Sequence, residues 1–267
     1  MSISWQVRVS GIWQLVSVVI SDGNHRLVID PGYFPRELDE LRGLCSEHSI
    51  HTQVAFTHGH WDHIIGWRSF PSANVLMSQR LRDAIVSQTQ SAQQSLREAQ
   101  DFDRKWYIDR GAPLAWPPVD RLHGLREGDS VWLGNTAIEV LQLPGHSEDG
   151  LALRLAKEGL LVVGDYLSPC EIPFVSDLTS YQASLRTLLD LLCDTQRVVP
   201  GHGRPLSAQE ARTIAESDLS YLDALAECAD KQDGNAALAL PLPRATDVPE
   251  MADHHRDNCR AAGLLGT

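Results

Sequence analysis

Three histidines and an aspartate fall within six residues, His58-Gly59-His60-Trp61-Asp62-His63, directly after the short apolar run 52–57. Imidazole and carboxylate are the ligand types of zinc and related divalent cations. A strand that ends in a turn can aim alternate side chains at one point. His58 and His60 then share a direction, and Asp62 and His63 open the next element close by. Three further positions have the same setting. His146 stands in Pro144-Gly145-His146-Ser147, Asp165 in Gly164-Asp165-Tyr166, and His202 in Pro200-Gly201-His202-Gly203. Each follows a β-rich run, and each has a glycine just before it, which permits a tight turn and close backbone approach. Two cations held together lower the pKa of a bound water to near neutrality. Such chemistry needs no Ser or Cys nucleophile.

The elements that must carry these residues read as two βα runs. Residues 12–20 and 26–29 are β-rich and flank Asp22-Gly23-Asn24, a hairpin turn. Asp30-Pro31-Gly32 stops the second strand. Pro35 suits a first helical position, with Glu37, Asp39 and Glu40 in the early turns. Runs 52–57 and 74–78 are short strands. Residues 79–105 read as one long, mostly exposed helix with sparse apolar points at Leu81, Ile85 and Leu96, and the chain returns through Trp106, Tyr107 and Trp116. The whole segment 79–118 is expected to be a helical insertion that serves as a lid or a homodimer contact. The strand pattern then resumes at 130–133 and 136–143 around Gly134-Asn135, and at 151–156 and 160–163 around Lys157-Glu158-Gly159. A helix over 178–193, a strand over 197–199 and a helix over 207–229 follow. The tail 207–267 is helical, and the stretch 251–262, with His254, His255 and Asn258, reads as a solvated helix.

Composition narrows the class. The chain has 267 residues, with 35 acids against 23 bases and a formal net charge of −12. That balance argues against a nucleic-acid surface, because phosphate contacts are made mainly by Lys and Arg. No apolar run reaches the roughly 18 residues of a membrane span. Gln6 and Arg8 stand where a signal peptide has its apolar region, so export is not expected. Cys45, Cys170, Cys193, Cys228 and Cys259 are scattered and form no CxxC pair. The expected compartment is a reducing cytoplasm.

The motifs HGHWDH at 58–63, GH at 145–146, GD at 164–165 and GHG at 201–203 appear in the order found in the metallo-β-lactamase-fold hydrolase superfamily, which the chain resembles over about residues 11–206. Ile29-Asp30-Pro31-Gly32 is similar to that family's early strand-end turn. The resemblance implies an α/β fold, an αββα sandwich of two mixed β-sheets flanked by helices, forming one domain over 1–267. It implies two divalent metal ions, zinc first, with manganese or iron as alternatives. By the family's pattern His58, His60 and His146 hold one ion, Asp62, His63 and His202 hold the other, and Asp165 bridges them. The implied reaction is cleavage of a carboxylic ester, thioester or lactone of a small molecule by a metal-bridging hydroxide, as in the glyoxalase II and lactonase branch. Alternatives within the superfamily are a mononuclear iron persulfide dioxygenase and a β-lactam-hydrolysing enzyme. Asp62 can also receive a proton, and Tyr166, next to the bridging aspartate, is a candidate oxyanion donor. Trp61, Trp67, Ser168 and Glu171 are candidate substrate contacts. The acidic balance makes one outcome definite. The purified protein should show no salt-sensitive cleavage of long RNA or DNA in a gel assay, and efficient cleavage there overturns the small-molecule expectation.

Overall fold

The structure, a computed structural model, describes residues 3–46, 51–246 and 248–266. Its strands form two six-stranded sheets, both mixed, and helices flank them. The chain divides into two compact units, one of residues 1–142 with 151–154 and one of residues 143–150 with 155–267.

In the first unit the leading sheet follows chain order: β1 (Ser4–Val9), β2 (Val16–Asp22), β3 (His25–Ile29), β4 (His51–Ala55), β5 (Asn74–Ser78) and β6 (Leu122–Leu125). The first three pair antiparallel and the last four parallel. The predicted hairpin is present, with Gly23 taking φ +58° at the turn. Parallel β3, β4 and β5 release their chain ends at one edge of the sheet, so Asp30, Thr57 and the turn after Ser78 emerge side by side. Helix α1 (Pro35–Ser46) starts at its proline as expected. A short helix α2 (Trp61–Ile64) is followed by a 3-10 turn, Ile65–Ser69. The expected single helix over 79–105 is instead two, α3 (Gln79–Val86) and α4 (Gln90–Lys105). Gln88 takes a left-handed φ of +51°, and the Thr89 side chain accepts from the Ala92 N–H to start a new helix. Strands β7 (Ser130–Leu133) and β8 (Thr136–Gln142) make the second predicted hairpin around Gly134. Strands β1 and β6 lie outside the sequence expectation.

The second sheet adds to these β9 (Leu151–Leu155), β10 (Leu160–Val162), β11 (Arg197–Val199) and β12 (Leu206–Ser207), in the order β12-β11-β10-β9-β8-β7. Of these, β10 and β11 pair parallel, so Gly164-Asp165 and Gly201-His202 leave the same edge. The second unit adds helices α5 (Leu178–Leu191), α6 (Ala208–Asp230), α7 (Gly234–Leu238) and α8 (Pro249–Ala261). Helix α6 opens on a capping box between Ser207 and Glu210. Midway along it Asp218 is fully buried, and Arg244 grips both carboxylate oxygens at 2.6 and 2.9 Å. Burial pushes the Asp218 carboxyl up to about 6, and the Arg244 guanidinium opposes that rise. The expected solvated tail helix is corrected here: α8 buries Met251, His255, Asn258 and Cys259 on one face. Two of those four are polar, so the buried stripe does not stand out as apolar.

Gly66 marks a very close backbone approach in the first unit. A Cβ there would stand 1.4 Å from the Pro31 carbonyl oxygen, whereas Gly43 in α1 faces open space. Gly66→Ala should therefore destabilise the protein by more than the ~1–3 kcal/mol of ordinary overpacking. Gly43→Ala should stabilise it by about 0.5–1 kcal/mol, because alanine loses less backbone entropy in a helix. Denaturant melts of the two variants check both signs.

Candidate metal centre

In the first unit the ligand-bearing loop is built on Asp30. This residue leaves β3 with φ +48°, a left-handed conformation that a non-glycine side chain adopts at a cost. Its backbone N–H donates to Ala55 O at 2.9 Å, and its carbonyl accepts from Ser17 Oγ at 2.7 Å. Its buried carboxylate accepts from Thr57 N at 2.8 Å, Thr57 Oγ1 at 2.7 Å and His63 Nδ1 at 3.0 Å. A carboxylate offers no hydrogen, so His63 carries its proton on Nδ1 and presents Nε2 as a lone pair. The single Thr57 hydroxyl hydrogen goes to Asp30. The 3.1 Å contact between Thr57 Oγ1 and His58 Nδ1 is then a donation from the imidazole, and His58 likewise presents Nε2. The His58 ring lies 4.5 Å from that of His60 and 4.2 Å from that of His63. Helix α2 carries Asp62 and His63 together, with Asp62 Oδ2 3.7 Å from His63 Nε2.

In the second unit the His146 turn is clamped from several sides. Gly145 has φ +127°, and a Cβ there would fall 2.3 Å from the Tyr181 backbone at the start of α5. The Pro144 carbonyl accepts from Tyr166 Oη and Ser184 Oγ, both at 2.7 Å. His146 Nδ1 meets the Phe174 carbonyl at 3.0 Å. A carbonyl only accepts, so this ring too carries its proton on Nδ1 and turns Nε2 outward. Asp165 Oδ2 stands 3.3 Å from His146 Nε2 and 3.6 Å from His202 Nε2. The turns bearing Asp165 and His202 are tied by a 2.6 Å bond from Gly201 N to Gly164 O. Two ligands each about 2.0–2.1 Å from one tetrahedral zinc stand ~3.3 Å apart. The His146–Asp165 and His202–Asp165 spacings therefore each suit a cation held between imidazole and carboxylate, and the donor types are those that bind one.

Not every predicted residue takes its expected part. Tyr166 is 2% exposed; its hydroxyl donates to Pro144 O and accepts from His146 N, and burial raises its pKa. Its proton is used within the His146 turn, so the oxyanion-donor expectation is corrected to a positioning contact. Ser168 is buried, with its hydroxyl 3.4 Å from Cys170 Sγ and its carbonyl accepting from Arg244 Nε. Glu171 Oε1 lies 3.8 Å from His202 Nδ1, beside a candidate ligand. Trp61 packs in an aromatic cluster with Trp13, Tyr33 and Phe102, at ring distances of 5.3, 5.1 and 4.9 Å. Trp67 Nε1 donates to Ala115 O at 3.0 Å, which binds the return of the 79–118 segment to α2's end of the loop. His25 and His51 take no part in the ligand set. They stack 4.9 Å apart at the opposite, starting ends of β3 and β4, in a cleft of about 570 Å³ with Trp132 and Gln53. Asp30 is the residue the sequence reading undervalued. Its signal was an aspartate, not a glycine, at a strand-ending turn.

Residues 11–202 match the sequence profile of the metallo-beta-lactamase superfamily, and the chain belongs to that superfamily. A probable metallo-hydrolase of Bacillus subtilis, YqjP, is 27% identical over 73% of this chain and 69% of its own. An acyl-coenzyme A thioesterase of Gallus gallus, MBLAC2, is 27% identical over 49% of this chain and 50% of its own. The fold is similar to that of a metallo-beta-lactamase family protein of Thermus thermophilus, with a TM-score of 0.66 at 20% identity, covering 99% of this chain and 95% of that one.

Asp30→Ala leaves the Thr57 N–H, the Thr57 hydroxyl and the His63 ring without their shared acceptor. Each buried group so stranded costs ~1–3 kcal/mol. The variant should melt earlier, and the folded fraction should bind Co²⁺ some 10–100-fold more weakly, because outer contacts fix ligand orientation. Calorimetry and a chelator-competition titration read the two effects separately.

Proposed function

We propose that the chain is a binuclear metal-dependent hydrolase of a small acyl substrate, a carboxylic thioester, ester or lactone, with the thioester first. The observation that carries this reading is Asp165. One oxygen of its carboxylate is held 3.3 and 3.6 Å from the Nε2 atoms of two buried imidazoles, one of them oriented from behind by a backbone carbonyl. In this reading His58, His60 and His146 hold one ion, Asp62, His63 and His202 hold a second, and Asp165 serves both. Zinc is the first candidate by ligand type. Bound divalent cations supply an ionised water near neutral pH and polarise the acyl carbonyl.

The chain's own groups do the rest. Asp30 and the Phe174 carbonyl hold His63 and His146 with Nε2 presented, so little reorientation is needed when a cation arrives. The Asp62 carboxylate takes the proton lost by the attacking water, and that proton goes on to the departing thiol or alcohol as the acyl bond breaks. Trp61 and Trp67 border the ligand loop, and Glu171 stands next to His202. The thioester preference rests on kinship with a relative named as an acyl-coenzyme A thioesterase. Segment 79–118 acts as a lid or a homodimer contact. The partner is a small molecule rather than a nucleic acid, in keeping with the net charge of −12. No described helix is long and apolar enough to cross a membrane, and the cytoplasm is the proposed location.

Asp165→Asn keeps the shape and removes the charge that offsets repulsion between two cations. Mass spectrometry should show the metal content fall from two ions to one or fewer. Hydrolysis should drop by more than ~100-fold, beyond the range typical of an outer contact, and its pH profile should move upward. The panel covers acyl thioesters, lactones, a β-lactam and a phosphodiester. Two ions retained with an unchanged rate sinks the binuclear reading. One iron with oxygen consumption assigns the chain to the dioxygenase class instead.

A further inference from the structure

A buried chain of hydrogen bonds connects the C-terminal helix α8 to the back of His146, all within the second unit. It starts at the Ala237 carbonyl, which His255 Nε2 approaches at 3.1 Å. The carbonyl can only accept, so His255 is protonated on Nε2, and its Nδ1 accepts from Tyr221 Oη at 2.7 Å. The Tyr221 oxygen in turn accepts from Asn258 Nδ2 at 3.1 Å. The other hydrogen of that amide goes to the Pro173 carbonyl at 2.7 Å, and Asn258 Oδ1 accepts from Val175 N at 2.9 Å. Asn258 thus grips the residues on both sides of Phe174. The Phe174 carbonyl is the group that holds His146 Nδ1 at 3.0 Å, and the Phe174 ring stacks on His254 of α8 at 3.8 Å. Donors and acceptors are matched at every step, which leaves one amide orientation and one tautomer for each ring.

We propose that Asn258 is a positioning residue for the metal centre, and that α8 selects the nitrogen His146 presents by fixing residues 173–175 from both sides. This rests on the metal-binding role of His146 proposed above. The geometry makes the role specific. Asn258 is 1% exposed, and its three polar contacts use both amide hydrogens and the amide oxygen. If residues 173–175 shift, the Phe174 carbonyl withdraws, the His146 proton is free to move to Nε2, and a ring protonated there has no lone pair facing the site. His254 adds a second, non-polar restraint on the same residue. Arg244, which reaches the Ser168 carbonyl at 2.7 Å, fastens the start of the same loop.

The test uses the full-length protein with Asn258→Asp, His254→Ala and Leu192→Ala. Asn258→Asp keeps the volume and the acceptor for Val175 N but cannot donate to Pro173 O or Tyr221 Oη. His254→Ala removes the stack without stranding a buried polar group, so it stands in should the aspartate variant fold poorly. Leu192→Ala opens a buried position at the C-terminal end of α5, outside the network, and serves as a stability control. Three quantities are read: Zn²⁺ affinity by chelator competition, thermal midpoint, and exchange of the His146 Nδ1 proton by ring-nitrogen NMR in the metal-free protein. Asn258→Asp and His254→Ala should each weaken Zn²⁺ binding about ten-fold and speed loss of the Nδ1 proton. Leu192→Ala should lower the midpoint and leave both quantities unchanged. Wild-type affinity and exchange in folded Asn258→Asp and His254→Ala overturns the proposal, as does an equal loss of affinity in Leu192→Ala. His146→Ala separates the two readings. If it binds Zn²⁺ as wild type does, the metal role of His146 fails, while the proton-exchange result still decides whether α8 sets the tautomer.

Discussion

A carboxylate buried without partners is among the least tolerable groups in a protein interior, and Asp30 escapes that cost only by accepting from Thr57 N, Thr57 Oγ1 and His63 Nδ1 at once. The geometry of the first unit follows from meeting this requirement. The β3 chain must turn through a left-handed residue to aim the carboxylate inward. Strand β4 must end beside it so that Thr57 can donate, and helix α2 must return close enough for His63 to reach it. Gly66 permits that return, because its backbone lies against the Pro31 carbonyl where no side chain fits. The same three hydrogen bonds that make Asp30 tolerable also decide the tautomers of His58 and His63. Stability and ligand orientation are therefore one arrangement, and the strain at Asp30 is held by the contacts that use it.

The second unit reaches the same end by another route. The group behind His146 is not a carboxylate but the Phe174 carbonyl, and the polar network through Asn258, Tyr221 and His255 holds that carbonyl in place. Close backbone approach is again the enabling feature. Gly145 lies against the first turn of α5, and Tyr166 spends its hydroxyl on the turn it supports. A network of this kind is rigid when every member is satisfied and costly when one is lost. Both units present buried imidazole Nε2 atoms next to a carboxylate. A cation bound there would make such a grouping electrostatically favourable.

The motifs were legible in the chain because a candidate ligand set is confined in residue type and local spacing together. His58, His60, Asp62 and His63 stand within one loop and one turn of helix, so six residues carry the pattern. The hairpins around Gly23 and Gly134 were legible for a related reason, since a tight turn needs a positive φ that glycine supplies locally. The order of motifs along the chain carried the family, and with it the two mixed sheets and flanking helices. The break between α3 and α4 was missed because Ser87-Gln88-Thr89 lacks the usual glycine or proline, and the cap at Thr89 takes effect only once the chain turns back.

Residue type and order along the chain settle the local inventory: ligand types, turn glycines, strand runs and the acidic balance. What stands behind each ligand is settled by long-range packing instead. Asp30 and His63 are 33 residues apart, and Asn258 and Pro173 are 85 apart. No periodicity links such positions, because the hydrogen bonds between them depend on how strands pair and helices pack rather than on spacing along the chain. The same holds for Tyr166 and α8. A tyrosine beside a candidate ligand aspartate reads as an oxyanion donor and a polar tail helix as solvated, yet Tyr166 and one face of α8 are buried with their polar atoms matched. Burying a polar group is favourable only where partners converge on it, and that convergence is a property of the folded chain.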